Sequence, residues 1–320
     1  MANCPVTLEP LPTGQSYSEA GLRSIHPKLK NIEPLEYSYA DQLKEVRQRS
    51  DKMSIQGVQP KLSAVLKLKD SSFALVDQGG RFILKPNPLA YEEVPANEAL
   101  TMRMAAEVGI EVPVHGLLRA KDDSWIYCVK RYDRVGRTGK VHVEDFAQLS
   151  GATRETKYDS SLERVAQLVE QFCTFPAIEK PKLAKRLLFC FLTGNEDMHL
   201  KNFSVWMQDG VVSLTPAYDL LNSTLVLENA KEESALPLQG KKRKLTKELW
   251  LDYFCKERLK LTPGQIYKVM KDLRKAMPAF DRLIGQSFLS EGRQAGYRTI
   301  LHARAKRLGL KEERRGKAEG

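Results

Sequence analysis

The chain has few cysteines and no long apolar run, and each shortage removes a class of function. Its five cysteines, Cys4, Cys128, Cys173, Cys190 and Cys255, are odd in number and scattered. They lack the paired spacing that zinc sites use, so neither a disulfide framework nor a metal cluster is indicated. Cys128 and Cys190 lie in apolar runs and read as small packed hydrophobes. No stretch of about 18 apolar residues is available to span a membrane, and the first residues lack the apolar stretch of a signal peptide. A cytoplasmic protein with no membrane partner is therefore expected. What remains is a 320-residue chain, 42% hydrophobic, with 51 Lys and Arg against 40 Asp and Glu. That length can bury one large core or two modest ones, and two lobes are the default. The formal charge of +11 favours polyanionic company, nucleic acid or a protein that carries one, unless it is only a solvated basic surface.

The stretch that organises the chain is Gly194-Asn195-Glu196-Asp197-Met198-His199-Leu200-Lys201-Asn202. Asp197 and Asn202 stand five apart, the spacing of a kinase catalytic loop, in which the Asp receives a hydroxyl proton and the Asn holds Mg²⁺. Asp219, in Leu214-Thr215-Pro216-Ala217-Tyr218-Asp219-Leu220, stands where such enzymes place a second metal ligand. A phosphoryl group in flight spreads negative charge over its oxygens, so positioned hard-oxygen ligands and cations suit it. The loop lies between the apolar run Leu187–Leu192 and the strand-like Phe203-Ser204-Val205-Trp206. A polar loop between buried elements is held rigidly. Asp209-Gly210 predicts a hairpin turn joining the strands that carry Asn202 at one end and Asp219 beyond the other.

Earlier in the chain, residues 1–50 read as an irregular lead-in with five prolines and a helix from Tyr39 to about Arg49. Ser54-Ile55-Gln56-Gly57-Val58-Gln59-Pro60-Lys61 then opens into the strand Leu62–Leu68. It suits either a phosphate-covering loop, with Gly57 allowing close approach and Lys61 adding charge, or an ordinary turn. Phe73–Val76 and Phe82–Pro86, separated by Gly79-Gly80, read as a hairpin that leaves Lys85 at a strand end. A helix is expected from Pro95 to Val108, stopped by Gly109. Glu98 in its first turn can pair with Lys85 or complement the positive helix end. Two further strands lead to Lys130-Arg131-Tyr132-Asp133-Arg134.

The remainder reads as mainly helical. Ser160 with Glu163 is the expected capping box of one helix, Pro181 the expected start of the next, and Pro263 that of a third, interrupted by Pro278. Gly240-Lys241-Lys242-Arg243-Lys244 is a basic cluster that suits an acidic partner, RNA phosphates or solvent. Residues 311–320 have the composition of a disordered tail. The expected organisation is an N-terminal lobe over 1–129, a hinge over 130–136 and a helical lobe over 137–310.

Taken in order, Ser54–Lys61, the Lys85 strand end, Tyr132-Asp133-Arg134, Glu144-Asp145-Phe146, the Asp197 loop and Pro216-Ala217-Tyr218-Asp219 resemble the HipA family of serine/threonine kinase toxins. The resemblance implies an α+β, two-lobed, protein-kinase-like fold that uses ATP and Mg²⁺ to phosphorylate an aminoacyl-tRNA synthetase. By that resemblance Asp197 is the catalytic base, with His199 and Lys201 supporting its loop and Lys201 near the γ-phosphate. Asn202 and Asp219 are then the Mg²⁺ ligands. Gly57, Val58, Gln59, Lys61, Lys85 and Glu98 surround the phosphates, and the backbone of Lys130, Arg131 and Tyr132 receives adenine. Ser54 matches the family's autophosphorylated serine. Gln56 stands where a second Ser or Thr often lies, which implies control at Ser54 alone. The short segment before Ser54 resembles the HipT form, whose substrate is tryptophanyl-tRNA synthetase and whose partners are a small HipS-like antitoxin and a HipB-like DNA-binding protein. DNA would be met only through that complex. Two alternatives share parts of the pattern: a small-molecule phosphotransferase of the aminoglycoside or choline kinase type, and a non-catalytic nucleic-acid-binding protein that keeps the fold.

Overall fold

A computed structural model describes residues 2–49, 59–136, 138–153, 155–227 and 230–310. Ser54, Gly57, Val58 and the 311–320 tail lie outside the described residues. The lead-in carries α1 (Glu19–Ile25), capped by the Ser18 hydroxyl accepting from Gly21, and α2 (Tyr39–Arg49). It is stitched to the sheet that follows. The Leu117 N–H donates to Pro5, and Leu35 exchanges bonds with Arg119 and Lys121 along the outer strand.

The sheet consists of β1 (Leu62–Lys67), β2 (Ser72–Leu75), β3 (Phe82–Lys85), β4 (His115–Arg119) and β5 (Trp125–Lys130), in the order β2-β1-β3-β5-β4 with every neighbour antiparallel. Helix α3 (Val94–Glu107) connects β3 to β4. The expected hairpin between the second and third strands does not form, because β1 lies between them. After β2 the chain crosses over β1 at the level of Ala64 and pairs on its other side. Gly80 makes the crossing: a Cβ there would stand 1.9 Å from Ser63 Oγ and 3.2 Å from Ala64 N. Gly79-Gly80 is thus read correctly as a break but wrongly as a turn, since close backbone approach needs glycine as much as a tight turn does.

Strand alternation sends side chains to two separate cores. On the outer face Leu62, Ala64, Phe82, Leu84, Leu118, Ile126 and Cys128 pack with Cys4, Leu22, Ile25 and Leu35 of the lead-in. On the inner face Ile83, Leu117, Tyr127 and Val129 pack with α3 and are continuous with the helical half. The apolar division therefore follows the faces of the sheet. It also fixes Lys85: one residue beyond Leu84, it points to the inner face, opposite Tyr127 in the register.

The second half begins with a short hairpin, β6 (Arg134–Val135) and β7 (Gly139–Lys140), then β8 (His142–Asp145). Next come α4 (Phe146–Ser150), α5 (Leu162–Phe172) and α6 (Pro176–Thr193). Strands β9 (Ser204–Gln208) and β10 (Val211–Leu214) form the expected hairpin, with Asp209 and Gly210 both at positive φ, and β8 adds a third strand. A short α7 (Ser223–Val226), a wide π-helical segment (Leu249–Arg258), α8 (Pro263–Gln286) and α9 (Glu291–Arg307) complete the chain.

Three boundaries differ from expectation. The cap of α5 is Ser161, whose hydroxyl accepts from Arg164 N, while the Glu163 carboxylate instead accepts from Gln239 N and Tyr253 Oη. Pro176 starts α6, leaving Pro181 inside it. Helix α8 runs through Pro278, because Met277, Phe280, Leu283 and Ile284 on both sides of it are buried in one core; that burial outweighs one missing hydrogen bond. Among the described residues no helix is long and apolar enough to cross a membrane.

Candidate active site

Of the sequence-predicted residues, Gln59, Lys61, Lys85, Glu98 and Asp219 meet on the inner face of the sheet, and Asp197, His199, Lys201 and Asn202 follow the end of α6. Lys85 and Glu98 are almost fully buried, and their side chains meet at 2.5 Å. The same Lys85 ammonium reaches Asp219 Oδ1. Lys61 Nζ lies 3.2 Å from Asp219 Oδ2, and Gln59 Nε2 donates to Glu98 Oε2 at 3.3 Å. The Tyr127 ring floors the cluster, with Lys85 Nζ 5.4 Å from its centroid. Burial alone would lower the Lys85 ammonium, but Asp219 and then Glu98 outweigh it and hold it above its ordinary value. Burial would likewise raise the Asp219 carboxyl, yet Lys85 and Lys61 keep it well below the usual carboxylate range. Burial pushes Glu98 up, with Lys85 pulling the other way. Asp219 also sits at φ 54, a left-handed backbone that Asp tolerates better than most residues.

The Asp197 loop is aimed by the end of α6. Gly194 closes that helix at φ 79, and a Cβ on it would meet Asn222 Oδ1 at 2.4 Å. Within the loop, the Asp197 N–H donates to Asn195 Oδ1 at 3.1 Å, and the Asp197 carbonyl accepts from His199 N at 2.9 Å and Asn202 Nδ2 at 2.8 Å. Because the Asn202 amide nitrogen is used inward, its carbonyl oxygen is the atom left for a cation. His199 is buried, and its Nε2 meets Lys157 Nζ at 2.7 Å. An ammonium can only donate, so this nitrogen accepts and the ring proton belongs on Nδ1. Burial lowers the His199 imidazole, Asp197 opposing and Lys157 reinforcing the effect. Lys201 points to Asp145, 3.2 Å away, at the cap of α4.

Helix α3 and the turn after Asp219 tie the two groups together, the Ser223 hydroxyl accepting from Glu196 N at 2.8 Å and Thr224 N donating to the Gly194 carbonyl at 3.0 Å. Next to Glu98, Asn97 donates to the Asn222 carbonyl at 2.9 Å and accepts from the Asn222 N–H at 2.8 Å, three residues beyond Asp219. Thr101, one turn on, bonds Asn97 and Tyr297 of α9. In the predicted hinge, Lys130 and Arg131 donate their N–H groups to Val114 and Arg81. A purine there would have to meet carbonyl groups or Tyr132, whose ring stacks on Tyr218 at 5.9 Å.

Sequence reasoning missed Asn97, Lys157 and Tyr158. The Tyr158 hydroxyl donates to Asp197 Oδ1 at 2.6 Å, and both residues line a cavity of about 740 Å³. Leu43 and Val46 of α2, Leu89, Tyr91, Val226 and Leu227 supply its apolar wall, with Glu196, Glu232 and Arg47 among the charged groups. The helical spacing of Leu43 and Val46 was the available signal for α2; Tyr158 lies in an irregular segment and gave none.

A protein-family model described as the HipA-like C-terminal domain matches residues 53–280. A Haemophilus influenzae protein named "Putative kinase" is 31% identical over 238 residues, 68% of this chain and 68% of its own length. The serine/threonine-protein kinase toxin HipA of Shewanella oneidensis is 30% identical over 212 residues, 58% of this chain but only 47% of its own. Among solved structures, S. oneidensis HipA, determined with HipB and operator DNA, superposes with a TM-score of 0.69 at 23% identity, covering 93% of this chain and 75% of that one. The Helicobacter pylori proinflammatory kinase CtkA superposes at 0.54 with 15% identity, over 72% and 88% of the two chains. These likenesses show a two-lobed, kinase-like α+β fold. The chain belongs to the HipA-like C-terminal domain family, a family of kinases.

Proposed function

We propose that this chain transfers the γ-phosphoryl group of ATP to a serine or threonine hydroxyl of a protein. The observation that carries the reading is the Lys85–Glu98–Asp219 cluster, joined through α3 and residues 222–224 to the loop that presents Asp197. A buried lysine held charged by two carboxylates is suited to receive phosphate oxygens. Asp197 then accepts the proton of the acceptor hydroxyl as its oxygen bonds to phosphorus and the bond to ADP breaks. The cavity beside Asp197 has the size and apolar character to take a protein side chain next to that hydroxyl.

The donor set fits Mg²⁺. The Asp219 carboxylate and the Asn202 carbonyl are hard oxygens, and Lys61 and Lys85 now place positive charge on that carboxylate. Bound there, Mg²⁺ would neutralise charge on the phosphates. Lys61 and Gln59 would close over the nucleotide, and Lys201 would brace the loop through Asp145 rather than touch phosphate. Within this reading the acceptor is an aminoacyl-tRNA synthetase, tryptophanyl-tRNA synthetase first, and the chain acts as a toxin restrained by HipS-like and HipB-like partners and by autophosphorylation at Ser54. The HipB in the S. oneidensis complex supports a partner of that kind.

The test is transfer of labelled γ-phosphate from Mg-ATP into a cell lysate by wild type and by Asp197→Asn, with mass spectrometry of what is labelled. Labelling of a synthetase by wild type alone is the expected result. Absence of labelling by both, even with Ser54→Ala to remove self-inhibition, would overturn the reading.

A further inference from the structure

We propose that Tyr158 is a positioning residue of the phosphotransfer site: its hydroxyl fixes the rotation of the Asp197 carboxylate so that the other oxygen faces the acceptor. The inference rests on the phosphotransfer reading above. Tyr158 belongs to the segment between α4 and α5, far from the catalytic loop in sequence, yet that segment is bound to the loop at several points. Leu200 N donates to the Lys157 carbonyl at 3.3 Å, and Lys157 Nζ meets His199 Nε2 at 2.7 Å. The Tyr158 ring stands edge-on to His199 at 5.0 Å, and Lys157 Nζ lies 4.9 Å from the centre of that ring. The hydroxyl then donates to Asp197 Oδ1 at 2.6 Å.

These contacts explain a problem the catalytic loop does not solve by itself. Asn195, His199 and Asn202 hold the main chain of Asp197, but a carboxylate can still rotate about its last bond. A single donor on Oδ1 stops that rotation. Among the described residues Tyr158 is the side chain that gives such a bond, which leaves Oδ2 for an acceptor hydroxyl. A base must lie within about 2.6–3.2 Å of the proton it takes, so a small error in this angle is costly. Tyrosine suits the task because it donates while remaining neutral and does not cancel the base's charge. Burial and then Asp197 hold its hydroxyl above the ordinary tyrosine value.

Two roles compete for the same contact. If Tyr158 is a positioning residue, removing its oxygen slows transfer; if it occupies the acceptor's place, removal accelerates it. The four ties to the catalytic loop favour the first, because a plug must leave on each turnover. A split between kcat and KM is the readout that a purely structural residue would not give, since a loosened fold weakens nucleotide binding and turnover together.

The experiment compares wild type with Tyr158→Phe, which keeps the ring against His199. Phosphate transfer to the lysate acceptor, KM for ATP and melting temperature are measured. The expected result is a fall in kcat of about ten- to a hundredfold, with KM for ATP and melting temperature retained. Unchanged or faster transfer by Tyr158→Phe, or phosphotyrosine at position 158 in wild type, would overturn the assignment while leaving the phosphotransfer reading intact. An inactive wild type that releases no ADP would overturn both.

Discussion

The two ends of the cleft hold their acidic residues by opposite means. Around Lys85 the partners are charged: Glu98 is 1% exposed, and Asp219, nearer the surface, is matched by two ammonium groups. Around Asp197 the direct partners are uncharged: a tyrosine hydroxyl on its carboxylate, and an asparagine oxygen and two N–H donors on its main chain. The difference has a physical logic. Where a polyanion is to be bound, positive charge must be stored and kept in place, and buried opposite charges do this. Where a proton is to be accepted, a neighbouring ammonium would cancel the basicity that the step requires. One α-helix and the turn it holds join these environments: Glu98 serves the first, its neighbour Asn97 holds Asn222, and Ser223 and Thr224 bond the catalytic loop.

Lys85→Met tests the charged end and should have the largest effect. It strands Glu98 in the core, and breaking a buried pair costs about 3–5 kcal/mol. We expect a large fall in melting temperature together with loss of nucleotide binding, followed by calorimetry with and without Mg-ATP. A variant as stable as wild type would show that the cluster is not electrostatically committed. Asp197→Asn tests the neutral end. Transfer should fall by about 10²–10⁴ with melting temperature retained, so the pair of variants separates stability from chemistry. A marked drop in melting temperature for Asp197→Asn would erase that distinction.

Asn97→Ala probes the link. It leaves the buried Asn222 N–H and carbonyl without side-chain partners, at about 1–3 kcal/mol. Both nucleotide affinity and turnover should suffer, measured as KM and kcat together; a change in only one would mean that the ends are independent. The smallest effect is a pH slope. Asp219 is held below its unfolded value, so its stabilisation is complete above the ordinary carboxylate pKa near 4 and is lost as pH falls further. Melting curves of wild type should therefore steepen against pH in that acid range, and those of Asp219→Asn should be flatter there.

The sequence made the local parts of this arrangement legible. The five-residue spacing of Asp197 and Asn202, the Asp209-Gly210 turn and the strand end at Lys85 are all short-range patterns, and the structure contains each. Pairing of Lys85 with Glu98 was one of two open alternatives, and burial on the inner face decides between them. What stayed hidden is non-local. Gly79-Gly80 looks like a hairpin until β1 is placed between the strands it separates. Ser160 and Ser161 are equivalent as letters, and Glu163, which pointed to the first, is drawn away by the distant Gln239 and Tyr253. Tyr158 precedes Asp197 by 39 positions in a segment with no periodicity, so nothing local announces their contact. Arg131 shows the same limit in reverse, since a plausible hinge N–H proves to be committed to Arg81.

The outer core has a bearing on how the chain is made. Its lead-in residues, including Cys4 and Val6, are sealed by Leu118, Ile126 and Cys128, and Pro5 is bonded to Leu117. A ribosome adding about 5–20 residues per second needs on the order of ten seconds to supply those partners. For that interval the lead-in has its apolar side uncovered and no sheet edge to dock on. Residues 4–35 thus wait for residues 118–128 before they can settle, and until then that face is open to chaperones and to any protein that competes for it.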